Sequence, residues 1–420
     1  MNILPKNYNQ FQKNIFSMLK GSTFSQMIGI LGALYLAKLY GDEVYGTFAI
    51  FSSILNILFI LFTLNLDNVL VLSKTKREAN TTLVKIVSLA FLFLFLALGI
   101  VFGITNLFHL KEEISSLLYL SVFGGFIFTL KSNCEYYFTF AKKFKIIANA
   151  KILYAILTLV TQFIFYKMNL ENGLIFGFII ATCIVILSYT FFLEKEYFLK
   201  KESYANIKSF YKTNHNLIRF GLPSNLINAF ANHILTILIG SFFSTSAAGV
   251  YGICMKILNI PLVIISSSVS QVFYQKAVDY HQNEPSKLFN FTKKIIRNNV
   301  LAMLGVILLT NTLGGFLLEW FFGKSWENLN LYLAILSILV FGRIFFNPIS
   351  SLLVIFDKLK LGLVFNSTLL AINLLGIYIG YLFQNLVYGI TILSVFGSFL
   401  YILIAFYFLK LMKKLPYEFN

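Results

Sequence analysis

The chain has 420 residues, 58% apolar and 12% charged, whereas soluble domains run near half apolar and a quarter charged. This balance excludes a water-soluble fold, and its 25 glycines and six prolines, scattered without period, exclude collagen-like and disordered chains. A formal charge of +17 in a soluble domain would suggest a nucleic-acid partner, but the placement of the basic residues gives them another role.

A bilayer core of about 30 Å takes about 20 apolar residues in helical form. Twelve such runs occur, at roughly 15–39, 45–67, 82–107, 114–140, 147–168, 172–193, 216–242, 247–270, 299–322, 329–354, 363–383 and 386–409. The chain therefore reads as an all-α membrane protein with 12 transmembrane helices. Its first run is full length and follows a polar start, as an uncleaved span does. With the N-terminus in the cytoplasm, the outward connections carry only Lys111, Lys167 and Lys324, against 23 Lys and Arg on the cytoplasmic connections and tails. The positive-inside rule then places both termini in the cytoplasm, and the basic loops face anionic lipid rather than nucleic acid.

The runs divide into halves. Val44-Tyr45-Gly46 opens the second span and Val250-Tyr251-Gly252 the eighth, 206 residues on. Phe140-Ala141-Lys142 closes the fourth and Phe356-Asp357-Lys358 the tenth, at an offset of 216. Six spans is an even number, so the second copy enters the membrane in the same sense as the first, giving two six-helix bundles related by a parallel pseudo-two-fold repeat. The expected domains are an N-terminal lobe over 1–193, a cytoplasmic linker over 194–215 and a C-terminal lobe over 216–420.

Catalytic motifs are missing. Gly323-Lys324-Ser325 resembles the end of a phosphate loop, but Leu318 stands where the first glycine belongs. Cys134, Cys183 and Cys254 lie in apolar runs, and the four histidines fall on separate segments. The outward loops are too short to hold extracytoplasmic chemistry. The sequence implies no enzyme, cofactor or metal site, and points to moving a passenger.

The informative residues are charges at membrane depth. A Lys or Arg at a helix centre costs about 2.5–3.5 kcal/mol on insertion scales, so such residues persist facing water, a partner or each other. Arg343 falls near mid-membrane, Lys256 in the outer half and Lys131 in the inner half. Glu135, one turn after Lys131, permits either an intrahelical pair or a lumen role for that lysine. His233 follows Asn225, Asn228 and Asn232, a polar stripe at helical spacing, and its titration range suits proton coupling. Lys20, Lys85, Lys151 and Arg219 lie close enough to cytoplasmic ends to snorkel, and Lys20 also suits the mouth of an inward opening. Lys131, Lys256 and Arg343 are thus candidate substrate-binding cations, with His233, Glu135, Lys20, Asn228 and Asn232 as candidate coupling or lumen residues. Cations with almost no carboxylate company predict an anionic passenger.

Four patterns carry a family resemblance: Gly221-Leu222-Pro223 entering the seventh span; Gly249-Val250-Tyr251-Gly252 with Lys256 following; Phe140-Ala141-Lys142-Lys143-Phe144-Lys145; and Phe322-Gly323-Lys324-Ser325-Trp326, leading to Asn347-Pro348 and Asp357-Lys358. In these the chain resembles the O-antigen and polysaccharide flippases of the multidrug/oligosaccharidyl-lipid/polysaccharide exporter superfamily. The resemblance implies two six-helix bundles around a basic cavity in the bacterial inner membrane. It also implies a lipid-linked oligosaccharide as passenger, an H+ or Na+ gradient as driver, and polysaccharide polymerase and chain-length proteins as partners. His233 stands where many relatives carry an acidic residue, and Asn65 where a glycine is expected. A multidrug or cationic-compound antiporter of the same superfamily and a membrane glycan polymerase are the alternatives.

Overall fold

A computed structural model describes residues 6–193, 210, 212, 214, 215, 217–323 and 326–414, without the side chains of 6–23, 217, 220, 264, 265, 267, 268, 271 and 414. The described elements are helices. The first, α1, covers Lys6–Thr63 and is interrupted at Gly41 (φ 82°, ψ 171°). Fifty-eight residues in one rod would reach about 87 Å, nearly three bilayer cores, so α1 has to break to stay in the membrane. Glycine adopts that positive φ without steric cost. There follow α2 (Asp67–Leu72), α3 (Lys76–Leu107), α4 (Glu112–Phe140), α5 (Phe144–Lys167), α6 (Gly173–Thr190), α7 (Leu222–Phe242), α8 (Thr245–Asn283) and α9 (Pro285–Leu309). Next come α10 (Gly315–Phe322), α11 (Leu329–Phe346), α12 (Leu352–Ile355), α13 (Leu359–Leu382) and α14 (Leu386–Lys414).

Eleven described helices are long and apolar enough to cross a membrane, and the 40-residue one over Phe24–Thr63 is the one broken at Gly41. The twelve expected crossings are therefore present, and the chain is a multi-pass membrane protein. Its apolar side chains also cover the outside: Phe95 is 67% and Trp320 77% exposed, as suits lipid rather than water.

Helix ends depart from the apolar runs in three places. α8 continues to Asn283 and α9 starts at Pro285, well beyond the hydrophobic stretches, because helical hydrogen bonds do not require apolar side chains. The run expected over 329–354 breaks after Phe346, where Asn347–Ile349 form a 3-10 turn around Pro348, which cannot donate a helical hydrogen bond.

The chain forms two compact units. One takes residues up to Tyr40 with Thr47–Ala229, the other Gly41–Gly46 with everything from Phe230. The expected linker over 194–215 lies largely outside the described residues. In the first unit Leu66, Leu83, Ile86, Phe138 and Tyr189 form one buried cluster, and Phe51, Leu55, Phe126 and Ile175 another. In the second, α11 packs on α8 and α14 around Leu336, Val340, Ile344 and Phe408.

A shared backbone signature marks the duplication. Lys142 and Asp357 both take left-handed φ, as do Asn169 and Gln384, and each pair is 215 residues apart. All four end a helix in the same way. The following N–H returns to the carbonyl five residues back, Lys143 to Phe138 at 2.9 Å and Lys358 to Leu353 at 2.7 Å, Leu170 to Phe165 at 3.1 Å and Asn385 to Gly380 at 2.9 Å. The backbone thus aligns Lys142 with Asp357, one residue off the sequence offset of 216.

Candidate functional site

In the first unit, α4 ends at Phe140 and α5 starts at Phe144, so the chain reverses across three residues with Lys142 at φ 55°. Reversal brings Lys151, seven residues into α5, level with Glu135, five residues before the end of α4. Lys131 Nζ lies 2.8 Å from Glu135 Oε1, and Lys151 Nζ lies 4.0 Å from Glu135 Oε2. The Lys131 ammonium also faces two rings, 4.6 Å from the centroid of Tyr154 and 5.1 Å from that of Phe128. Lys131 is buried, so both the ion pair and the ring faces replace water that it has lost. Two ammonium groups share one carboxylate, which leaves a single positive charge over.

The second unit holds Lys256 and Arg343. Arg343 comes from the last turn of α11, is buried, and reaches Asn259 Oδ1 of α8 through a terminal nitrogen at 3.5 Å. Its guanidinium carbon sits 6.0 Å from the Tyr401 ring centroid, and its buried Nε has no hydrogen-bond partner among the described residues. Among the described residues no carboxylate lies within 4.0 Å of it. Lys256 is half-buried and precedes Asn259 by three residues, so both project from one face of α8. The residue that Arg343 touches therefore belongs to the face that carries Lys256. A guanidinium offers five donors in a planar fork suited to phosphate or carboxylate oxygens, and one long contact to an amide leaves most of them uncommitted.

The polar stripe lies on α7. Asn228 and Asn232 are exposed one turn apart, Asn225 is half-buried and His233 half-buried. Asn225 Nδ2 donates to Asn65 Oδ1 at 2.6 Å. Asn65 has φ 61°, so the position expected to hold glycine does take the glycine-favoured conformation, which asparagine tolerates better than most residues. The side chain of Lys20 lies outside the described residues.

The structure thus joins Lys131 to Glu135 and sets Lys256 on the face met by Arg343. Sequence reasoning assigned Lys151 to snorkelling and passed over Asn259, Tyr154 and Tyr401. Reflecting α5 across the 141–143 reversal would have matched Lys151 to Glu135. No comparable signal points to Asn259 or Tyr401. Among the described residues no group of three His, Cys, Asp or Glu is placed to hold a metal ion.

Residues 35–330 match the family described as polysaccharide biosynthesis protein. The chain belongs to this family. The chain is 24% identical over 343 residues to the capsular polysaccharide biosynthesis protein CapF of Staphylococcus aureus, covering 79% of this chain and 82% of that one. It is 25% identical over 162 residues to the teichuronic acid biosynthesis protein TuaB of Bacillus subtilis, covering 38% and 33%. Its fold is that of the MOP transporter superfamily. An inward-facing multidrug resistance MATE transporter matches with TM-score 0.74 at 14% identity over 93% of this chain and 96% of that one. The lipid II flippase MurJ in an inward closed conformation matches at 0.72 and 16%, over 94% and 87%. A MOP superfamily transporter from Pyrococcus furiosus Vc1, described as having a binding pocket of reverse polarity, matches at 0.59 and 13%, over 96% and 95%.

Proposed function

We propose that this family member is a flippase that turns a lipid-linked oligosaccharide, carried on undecaprenyl diphosphate, from the inner to the outer leaflet of the bacterial cytoplasmic membrane. The observation that carries this reading is the state of Arg343, a buried guanidinium that among the described residues has one amide hydrogen bond and no carboxylate within 4.0 Å. A passenger's diphosphate supplies the missing acceptors, while the amide-bearing face of α7 suits sugar hydroxyls. Lys256, Lys131 and Lys151 add positive charge, only part of which Glu135 offsets. The polyprenyl tail stays in lipid. Transport proceeds by alternating access, driven by H+ or Na+, with His233 on α7 as the candidate coupling residue. Both termini lie in the cytoplasm, and polymerase and chain-length proteins receive the product.

The MATE-type fold and the presence of Glu135 favour the second reading, an exporter of cationic compounds. That chemistry needs a carboxylate free to exchange a proton for a cation, and Glu135 is engaged by two lysines. Deleting the gene in its native host tests both. Accumulation of undecaprenyl-linked repeat units on the inner face, reversed by the intact gene, supports the flippase. Normal export of repeat units together with lost efflux of a fluorescent cationic dye supports the exporter.

A further inference from the structure

Most basic residues of the chain lie in connections, but one set occupies the face of a helix. α9 buries Leu288, Thr292, Ile296, Asn299 and Met303, positions three or four apart that make up one side of it. The opposite side is exposed and changes character along its length. It carries Lys293, Lys294 and Arg297 first, then Leu301, Leu304 and Leu308. From Arg297 to Leu301 is one turn, about 6 Å of rise. Glu284, just ahead of the helix, is engaged by Lys287, and α9 itself contains no acidic residue.

The last helix repeats the change beside it. Thr292 Oγ1 donates to Met412 Sδ at 3.6 Å, so the start of α9 packs on the end of α14. α14 exposes Leu403, Phe406 and Tyr407 and then Lys410 and Lys413, and it too contains no acidic residue. The two helices belong to the ninth and twelfth crossings and run in opposite senses. Counted from the Thr292–Met412 contact, Lys410 is level with Lys294, and Tyr407 with Arg297. Both helices therefore pass from apolar to cationic at one height, with a tyrosine at the boundary, where phenol rings favour the edge of a bilayer. Of the eleven described membrane-length helices, the one over Pro285–Phe322 is the least covered by protein, with 11% of its apolar stretch buried, so its exposed leucines meet lipid.

We propose that the paired ends of α9 and α14 bind an anionic phospholipid, whose phosphate is held by Lys293, Lys294, Arg297 and Lys410 while its acyl chains lie along Leu301, Leu304 and Leu308. Phosphodiester oxygens accept charge-assisted hydrogen bonds from ammonium and guanidinium groups. A zwitterionic headgroup brings a cation of its own to the same place and gains little. The lipid belongs to the leaflet on the side of the basic connections, the inner one by the positive-inside rule. This site faces the bilayer and is independent of the passenger and of the flippase reading.

The test uses the full-length protein in a neutral detergent, with native mass spectrometry following retained lipid and melting temperature following stability. Phosphatidylglycerol and phosphatidylcholine with the same acyl chains are titrated separately, and inorganic phosphate forms a third arm. The expected result is saturable retention of phosphatidylglycerol with a raised melting temperature, and neither effect from phosphatidylcholine or phosphate at the same concentration. Lys293→Gln/Lys294→Gln/Arg297→Gln is expected to weaken retention at least about tenfold, since each Lys or Arg near an anionic surface contributes about fivefold. Lys410→Gln/Lys413→Gln, on the other helix, is expected to weaken it severalfold. Lys74→Gln/Arg77→Gln/Lys145→Gln, which removes three exposed cations from the first unit, is expected to leave it unchanged. Equal retention of phosphatidylcholine, an equal effect of free phosphate, retention that neither α9 nor α14 variant alters, or an equal loss in the first-unit variant would each overturn the proposal.

Discussion

Arg343 meets Asn259, an amide at 3.5 Å, where a buried guanidinium would ordinarily meet a carboxylate. The contact joins the last turn of α11 to the face of α8 that carries Lys256, and it orients the fork without neutralising it. Asn259→Asp would supply the absent charge. The expected outcome is a protein at least as stable thermally as the parent, because the ion is now paired, with flipping reduced about tenfold or more as the new carboxylate competes with phosphate. Melting temperature and accumulation of lipid-linked repeat units measure the two effects. Unimpaired flipping in a stable Asn259→Asp protein would remove Arg343 from the passenger's path.

Glu135 is the counterweight in the first unit, and its removal has a different sign. Glu135→Gln leaves Lys131 and Lys151 unpaired, which is expected to cost on the order of 1–3 kcal/mol, seen as a lowered melting temperature. Adding Lys131→Gln to Glu135→Gln is expected to restore much of the loss, since the buried cation goes with its partner. A double-mutant cycle on melting temperature checks this, and strict additivity of the two changes would show that the pair is not coupled.

Gly46 and Gly249 mark a close approach of two backbones. A Cβ on Gly46 would lie 1.8 Å from the carbonyl oxygen of Thr245, and one on Gly249 would lie 2.1 Å from that of Asp42. Both obstacles are main chain and cannot rotate away. Gly46→Ala and Gly249→Ala are therefore expected to lower the yield of folded protein sharply, whereas Gly305→Ala, where a Cβ meets nothing within 4 Å, is expected to be neutral. Size-exclusion profiles of the three variants provide the comparison.

Asn65 separates backbone from side chain. Asn65→Gly keeps the φ of 61° but loses the bond from Asn225, and Asn65→Ala loses both. Alanine in a left-handed position costs about 1–2 kcal/mol. The glycine variant is therefore expected to melt above the alanine variant, and equal melting temperatures would show that the backbone conformation is relaxed at no cost.

The membrane crossings were legible in the sequence because bilayer thickness imposes a length on every apolar run, and the Lys131–Glu135 pair was legible as one of two alternatives, because helical spacing permits it within one segment without requiring it. Lys151 was not legible as a partner of Glu135, since that contact depends on how α5 folds back across the left-handed Lys142. Asn259 under Arg343 depends on how α8 and α11 cross, which neither segment encodes alone. The extension of α8 to Asn283 and the break at Asn347-Pro348 escaped the reading for the opposite reason: hydropathy reports where lipid is, and backbone hydrogen bonding decides where a helix ends.

The most direct test of an anion-binding interior is the Lys256→Gln/Arg343→Gln protein, expressed in place of the native chain, with lipid-linked repeat units counted on each leaflet. The expected result is normal membrane insertion with units retained on the inner leaflet at several-fold the parent level. Insertion and leaflet distribution both indistinguishable from the parent would contradict a role for those two cations in carrying the passenger.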